Sequence, residues 1–119
     1  MSEQETVEQQ LTPAQVAELG DAQLVDVQTD PEYEASHLAG ARHVPLEQIP
    51  SVAGELDRER PLVFYCRVGE RSALASEAFR AAGFDAYTMA GGLVAWAEDG
   101  RPLEPEGAEV AQHSSIPDF

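Results

Sequence analysis

Between Pro61 and Tyr65 the chain reads Pro-Leu-Val-Phe-Tyr, with no polar residue to interrupt it, and that uniformity limits the possible architectures more than anything else in the sequence. A strand with one face in water alternates apolar and polar side chains. A strand without alternation is covered on both faces, which points to a parallel sheet layered between helices.

The flanking segments supply what such a sheet needs. Thr12-Pro13-Ala14-Gln15 carries a capping-box pattern with proline at the first helical position, Val16 and Leu19 share one face, and Gly20 stops the helix. Residues 23–27 read as a strand, and Asp30, as cap, opens with Pro31 a helical turn through His37. A turn over 38–41 leads to a short extended piece at 42–44, stopped by Pro45, and residues 46–56 read as a helical segment broken by Pro50. Beyond the apolar run, a helix from Ser72 to Ala82 places Leu74, Ala75, Ala78, Phe79 and Ala82 on one stripe, with Gly83 as a left-handed cap and Phe84 behind it. Residues 85–89 make the next strand, Gly91-Gly92 a tight turn, and residues 93–98 a last helix ending at Gly100. Alternation of this kind argues for an α/β fold with an open, mostly parallel sheet. The predicted domain covers residues 11–103, after a flexible arm at 1–10 and before a tail at 104–119 that is mobile or lies along the surface. With 119 residues, 43% of them hydrophobic, there is material for one core.

Cys66 is the only cysteine, and it stands where the apolar run breaks into Cys66-Arg67-Val68-Gly69-Glu70-Arg71 before the helix. The first turn of a helix leaves N–H groups unpaired and carries partial positive charge, so an anion placed there is stabilised, and a thiolate qualifies. Arg67 and Arg71 push the same way. A free cysteine is often a small core hydrophobe instead, but one in the core sits inside an apolar run, whereas this one ends it and is followed by charge. In open α/β sheets ligands collect at the carboxyl ends of strands, which is where Cys66 falls.

The chain has 22 acidic residues against seven arginines and no lysine, a net charge of -15. Nucleic acid is excluded as a natural partner, because phosphate binding needs a basic surface. The acidic residues are spread along the chain, as in a solvated surface that keeps a protein soluble; a salt-adapted source or a lysine-poor proteome would give the same picture. No run approaches the ~18 apolar residues of a membrane span, and the first residues lack the positive and apolar stretches of a signal peptide, so a cytoplasmic protein without a membrane partner is expected. A single cysteine makes no internal disulfide and leaves no partner for a zinc site, and no metal or cofactor is expected.

Three segments together resemble the rhodanese-like sulfurtransferase domains over about residues 10–103: Leu24-Val25-Asp26-Val27 with Glu32-Tyr33, His37-Leu38-Ala39-Gly40-Ala41 and Val44-Pro45; the Cys66–Ser72 loop; and Gly91-Gly92 followed by Trp96. The resemblance implies a five-stranded sheet flanked by helices on both faces. It also implies that Cys66 takes a sulfane sulfur from a small anionic donor such as thiosulfate and holds it as a persulfide. The loop Arg67, Val68, Gly69, Glu70, Arg71 and Ser72 would curl its N–H groups inward around that anion, with Gly69 providing the backbone freedom. Arg67 is expected at the pocket mouth to orient the donor, and Arg71 to brace the loop against carbonyls or a carboxylate such as Asp26. Arg67 and Arg71 read alternatively as ordinary solvated arginines, and Asp26 as a turn former at a strand end. His37 and His43 are expected to be structural, and Trp96 a core or pocket-wall aromatic. With no second cysteine the acceptor comes from outside: cyanide, a small thiol or a thioredoxin-like dithiol. Two positions depart from the family pattern, Gln28 where an arginine is frequent and Ser36 where a glycine commonly precedes the histidine.

Two other functions fit the same architecture. Cysteine-dependent phosphatases, and arsenate reductases with similar chemistry, place five residues between Cys and Arg, whereas Arg67, Val68, Gly69 and Glu70 make four here, a ring suited to one sulfur atom rather than a tetrahedral phosphate. Glu70 would also oppose a dianionic phosphate unless it points outward. Outside catalysis, the domain could be a carrier or binding module that accepts sulfur from one protein and passes it to another.

Overall fold

The computed structural model describes residues 9–111. Its elements, in chain order, are β1 (Gln10–Leu11), α1 (Pro13–Glu18), β2 (Gln23–Asp26), α2 (Asp30–Ala35), β3 (Arg42–His43), a 3₁₀ segment (Leu46–Glu55), β4 (Leu62–Tyr65), α3 (Glu70–Ala81), β5 (Ala86–Met89) and α4 (Gly92–Glu98). The strands form one sheet in the order β1-β5-β4-β2-β3, and every pairing is parallel.

The apolar run behaves as its composition demands. Leu62, Val63, Phe64 and Tyr65 are all fully buried at the centre of the sheet. Leu62 and Phe64 point into a cluster with Val25, Ile49, Phe79 and Phe84, while Val63 and Tyr65 point into another with Val16, Leu38, Met89 and Trp96. The side-chain period of two therefore splits one strand between two cores, and each large apolar side chain contributes about 1.5–3 kcal/mol. Phe79 meets both Phe64 and Phe84, with ring centroids 5.1 and 4.9 Å apart.

Local signals explain the element ends. Thr12 caps α1 in a full capping box: its Oγ1 accepts from Gln15 N–H, and Gln15 Oε1 accepts from Thr12 N–H. Gly83, at φ +96°, ends α3, and Phe84 N–H returns to the Phe79 carbonyl at 3.0 Å.

Several expectations are corrected. Thr29, not Asp30, caps α2, because Glu32 stands three residues on and accepts from Thr29 N–H at 2.9 Å. Residues 46–55 wind as 3₁₀ turns throughout rather than as a kinked helix; Pro50 lacks the N–H an α-helix would use there. The helix after Cys66 begins at Glu70, not Ser72. Its buried stripe is Ser72, Ala75, Ser76 and Phe79, so Leu74 is 62% exposed and lines, with Ala78 and Ala82, an open apolar groove beside the 3₁₀ segment. Gln10, placed with the arm on sequence grounds, pairs with Thr88 in β1; the rest of that arm up to residue 8 lies outside the described residues. Residues 104–111 lie against the body of the domain, where His37 and Glu104 exchange backbone hydrogen bonds of 2.9 and 2.8 Å; residues 112–119 of the expected tail lie outside the described residues.

The order of the strands places the site. From β2 the chain moves outward to β3, then crosses back to β4 and on to β5. The direction reverses between β2 and β4, and Asp26 and Cys66 stand at the carboxyl ends of those two neighbours, the usual position of a ligand crevice. Among the described residues no helix is long and apolar enough to cross a membrane.

Candidate active site

Cys66 leaves β4 fully buried, with its side chain in the same apolar cluster as Phe64 and Ala75. Its sulfur is nonetheless turned to polar groups. The Gly69 N–H donates to Sγ at 3.1 Å, and the thiol donates to Ser72 Oγ at 3.7 Å. This geometry depends on Gly69, whose left-handed φ of +107° helps turn the chain from strand into helix across residues 66–69. α3 begins at the next residue, so the first-turn N–H groups of Glu70, Arg71 and Ser72 have no acceptor within the helix.

The outer side of the loop is held by α4. Leu93 N–H donates to the Cys66 carbonyl at 2.9 Å and Val94 N–H to the Arg67 carbonyl at 3.0 Å, so one helix N-terminus fastens the loop that opens another. Gly92 makes this approach possible: a Cβ there would stand 2.6 Å from both carbonyl oxygens.

Arg71 braces the site, and its partner is Glu32 rather than Asp26. Nη1 donates to Oε1 at 2.8 Å and Nη2 to Oε2 at 3.1 Å, a bidentate pair in which Glu32 is completely covered. Burial alone would push the Glu32 carboxyl up, but the bonds from Arg71 and from Thr29 N–H outweigh it and hold the group below its ordinary range. Burial likewise opposes the Arg71 charge, and the bonds to Glu32 together with the field of an anion at Cys66 more than restore it. Arg71 is therefore the fixed positive charge of the site.

Asp26 has a different role from the one expected. Its Oδ1 accepts from Gln28 N–H at 2.8 Å and its Oδ2 from Gln28 Nε2 at 3.0 Å, and it is also bonded to the Tyr65 hydroxyl, which itself accepts from Leu38 N–H at 2.9 Å. Burial pushes the Asp26 carboxyl up despite these bonds and the nearby His43. The Tyr65 phenol is pushed up too, by burial first and then by the Asp26 charge. Asp26 thus ties the end of β2 to the end of β4 instead of touching Arg71.

The remaining expected residues separate. Arg67 donates from Nη1 to the Ala111 carbonyl at 3.2 Å, in a cleft between α4 and residues 108–111. Val68 is exposed on the loop, and Glu70 is exposed at the first position of α3, pointing outward where its charge suits the helix terminus. Ser72 is buried against the sulfur. Tyr33 lies between the rings of His37 and His43, at 3.9 and 4.2 Å, and each imidazole has a backbone carbonyl partner, Tyr33 for His37 and Gln28 for His43. Trp96 is a core residue whose indole N–H donates to the Pro102 carbonyl. The two departures from the family pattern meet: Gln28 Nε2 donates to the Ser36 carbonyl at 3.1 Å, and both side chains are buried. Among the described residues no cluster of His, Cys, Asp and Glu is arranged to hold a metal ion.

Sequence reasoning missed Glu32 as the partner of Arg71, Tyr65 as the partner of Asp26, and Thr88, whose Oγ1 lies 2.6 Å from Ser72 Oγ. The Thr29-Asp-Pro-Glu32 spacing is a capping-box signature that could have found the first. Tyr65 gives no separate signal within the apolar run. Thr88 carries no signal, since a threonine in a strand is ordinary.

The family model described as rhodanese-like domain matches residues 12–99. Among curated proteins the chain is 42% identical over 82 residues to the probable adenylyltransferase/sulfurtransferase MoeZ of Mycobacterium tuberculosis, an alignment covering 66% of this chain and 21% of that protein. It is 34% identical over 94 residues to a sulfurtransferase of Allochromatium vinosum, covering 77% and 88%. The chain thus spans about a fifth of the first relative and most of the second. Its fold superposes on the crystal structure of a rhodanese-related protein from Thermoplasma volcanium with a TM-score of 0.77, at 24% identity over 82% of this chain and 99% of that one.

Proposed function

The chain belongs to the rhodanese-like domain family, and from that premise we propose that it is a sulfurtransferase that carries sulfane sulfur on Cys66. The observation that carries the reading is the 3.1 Å contact from Gly69 N–H to the Cys66 sulfur at the start of α3, with Arg71 locked beside it by Glu32. Backbone dipoles and a fixed guanidinium stabilise an anion there without needing a histidine base.

In the proposed reaction the Cys66 thiolate attacks the outer sulfur of thiosulfate. The S–S bond of the donor breaks, its electron pair leaves with sulfite, and a Cys66 persulfide anion remains. A cyanide or thiolate acceptor then attacks the outer sulfur of that persulfide. Thiocyanate or a new persulfide departs, and Cys66 returns as the thiolate. Cys66 has no second cysteine to resolve the persulfide, which supports an acceptor from outside the chain. Neutral and dithiol acceptors suit a protein of charge -15 better than bulky anions do.

A second reading is supported by the complete burial of Cys66. A thiol so enclosed suits a carrier loaded by a partner protein's persulfide, with little turnover on small molecules. Steady-state thiocyanate formation from thiosulfate and cyanide tests the first reading: wild-type protein turns over and Cys66→Ala does not. Loading from a protein persulfide without thiosulfate turnover supports the carrier. Hydrolysis of an aryl phosphate ester that is lost with Cys66→Ala would contradict both.

A further inference from the structure

We propose that Thr88, on the strand next to Cys66, is a positioning residue that sets the ionisation of the thiol through the hydroxyl of Ser72. The proposal rests on the reading of Cys66 as the sulfur-bearing nucleophile.

Ser72 Oγ is fully buried and has three polar neighbours: Thr88 Oγ1 at 2.6 Å, the Gly69 carbonyl at 3.2 Å and Cys66 Sγ at 3.7 Å. A hydroxyl brings one proton and two lone pairs to these contacts, so with its proton on the Gly69 carbonyl Ser72 accepts from Thr88. While Cys66 is a thiol, S–H donates to Ser72 Oγ, Ser72 donates to the Gly69 carbonyl, and Thr88 donates into the second lone pair of Ser72. When the thiol proton leaves to bulk water, Sγ becomes an acceptor. The Ser72 hydroxyl then rotates from the carbonyl to the sulfur, and Thr88 continues to donate to Ser72 Oγ.

The rotation leaves no group orphaned. The Gly69 carbonyl keeps the Ala73 N–H, which donates to it at 3.1 Å. The thiolate gains a donor in addition to Gly69 N–H. Thr88 strengthens that donor, because a hydroxyl accepting a hydrogen bond is a better donor itself. The same bond assists both halves of sulfur transfer, since Cys66 is the nucleophile in the first and the leaving thiolate in the second.

The charged and titratable groups around Cys66 are independent of this pair. They are Arg71 on α3 with Glu32 on α2, Asp26 on β2 held by Gln28, Tyr65 on β4, Arg67 held by the Ala111 carbonyl, and the outward-facing Glu70. Ser72 and Thr88 variants leave all of them in place.

The test is the pH dependence of alkylation by iodoacetamide, which reports Cys66 alone because the chain has one cysteine. Ser72→Ala is expected to raise the midpoint of the profile by about one pH unit, tenfold in thiolate fraction on its rising limb. Thr88→Val, close in shape but without the hydroxyl, raises it by less, and Thr88→Ser restores the wild-type profile. An unchanged midpoint in Ser72→Ala or Thr88→Val, in protein folded by circular dichroism, overturns the proposal. So does a lowered midpoint in Thr88→Val, which would mean that Ser72 donates to Thr88 and is freed by its loss. A role in packing alone would lower the melting temperature of Thr88→Val without moving the profile; should that variant not fold, the comparison of Ser72→Ala with Thr88→Ser and Thr88→Ala carries the test. Alkylation uses no sulfur donor, so this outcome is separable from whether the protein transfers sulfur.

Discussion

Glu32 and Arg71 join two distant parts of the chain, the first turn of α2 and the first turn of the helix that follows Cys66. Removing one member of a covered ion pair strands the other's charge. Glu32→Ala is therefore expected to destabilise the protein by about 3–5 kcal/mol, measured by urea unfolding, and a loss under 1 kcal/mol would show that Arg71 finds water instead. Glu32 also shapes the pH dependence. Its carboxyl is held below the ordinary 4.5, so its contribution is complete above that pH and is lost as pH falls through the folded value. Asp26 works in the opposite sense: its proton is held more tightly when folded, so ionisation subtracts stability as pH rises from the ordinary 3.8 through the raised folded value. Glu32→Gln should flatten the acid side of the stability curve, and an equally steep acid limb in that variant would place the effect elsewhere. Cys66, Gly69 and Arg71 were legible in the sequence because each follows from local grammar. The partner of Arg71 was not, because Asp30 offered a plausible cap one residue after the true one and hid the Thr29–Glu32 spacing.

At the scale of elements, the loop after β4 is shaped between two helix N-termini, and Gly92 is where they come closest. A Cβ at Gly92 would meet two backbone oxygens at 2.6 Å at a φ of +62°, so Gly92→Ala is expected to cost about 1–3 kcal/mol and to slow alkylation of Cys66 by displacing its loop. Gly20→Ala is the control: a Cβ there meets nothing within 4 Å, and stability should hold or rise by about 0.4–1 kcal/mol. Equal effects of the two substitutions, read from melting curves, would refute the packing argument. The central strand was fully legible, since unbroken apolarity has one physical meaning. The helix after Cys66 was legible in existence and misread in phase. Its buried stripe runs through Ser72 and Ser76 because its first turn serves the site, and an apolar-stripe rule looks for leucine there and finds exposed Leu74 instead.

For the whole molecule, the order of strand addition reverses between β2 and β4, and the Arg71–Glu32 pair stands at that point in a body of net charge -15. On the proposed reading, the body would repel an anionic donor at long range while Arg71 would attract it at contact, and only the first is screened strongly by salt. The second-order rate of loading by thiosulfate is expected to rise between about 0.01 M and about 0.1 M ionic strength. A falling rate would mean that the local field of the pocket governs encounter. The overall charge was plain from composition, but its consequence for the donor depends on what holds Arg67, and only the packing of residues 108–111 reveals its bond to the Ala111 carbonyl. The central claim, that Cys66 holds a transferable sulfur within the amides of its loop, is tested most directly by the intact mass of the protein after incubation with thiosulfate. The account predicts a gain of one sulfur atom that cyanide removes and that Cys66→Ala never shows. No gain with thiosulfate or any other sulfane donor, in protein whose Cys66 still alkylates, would contradict it.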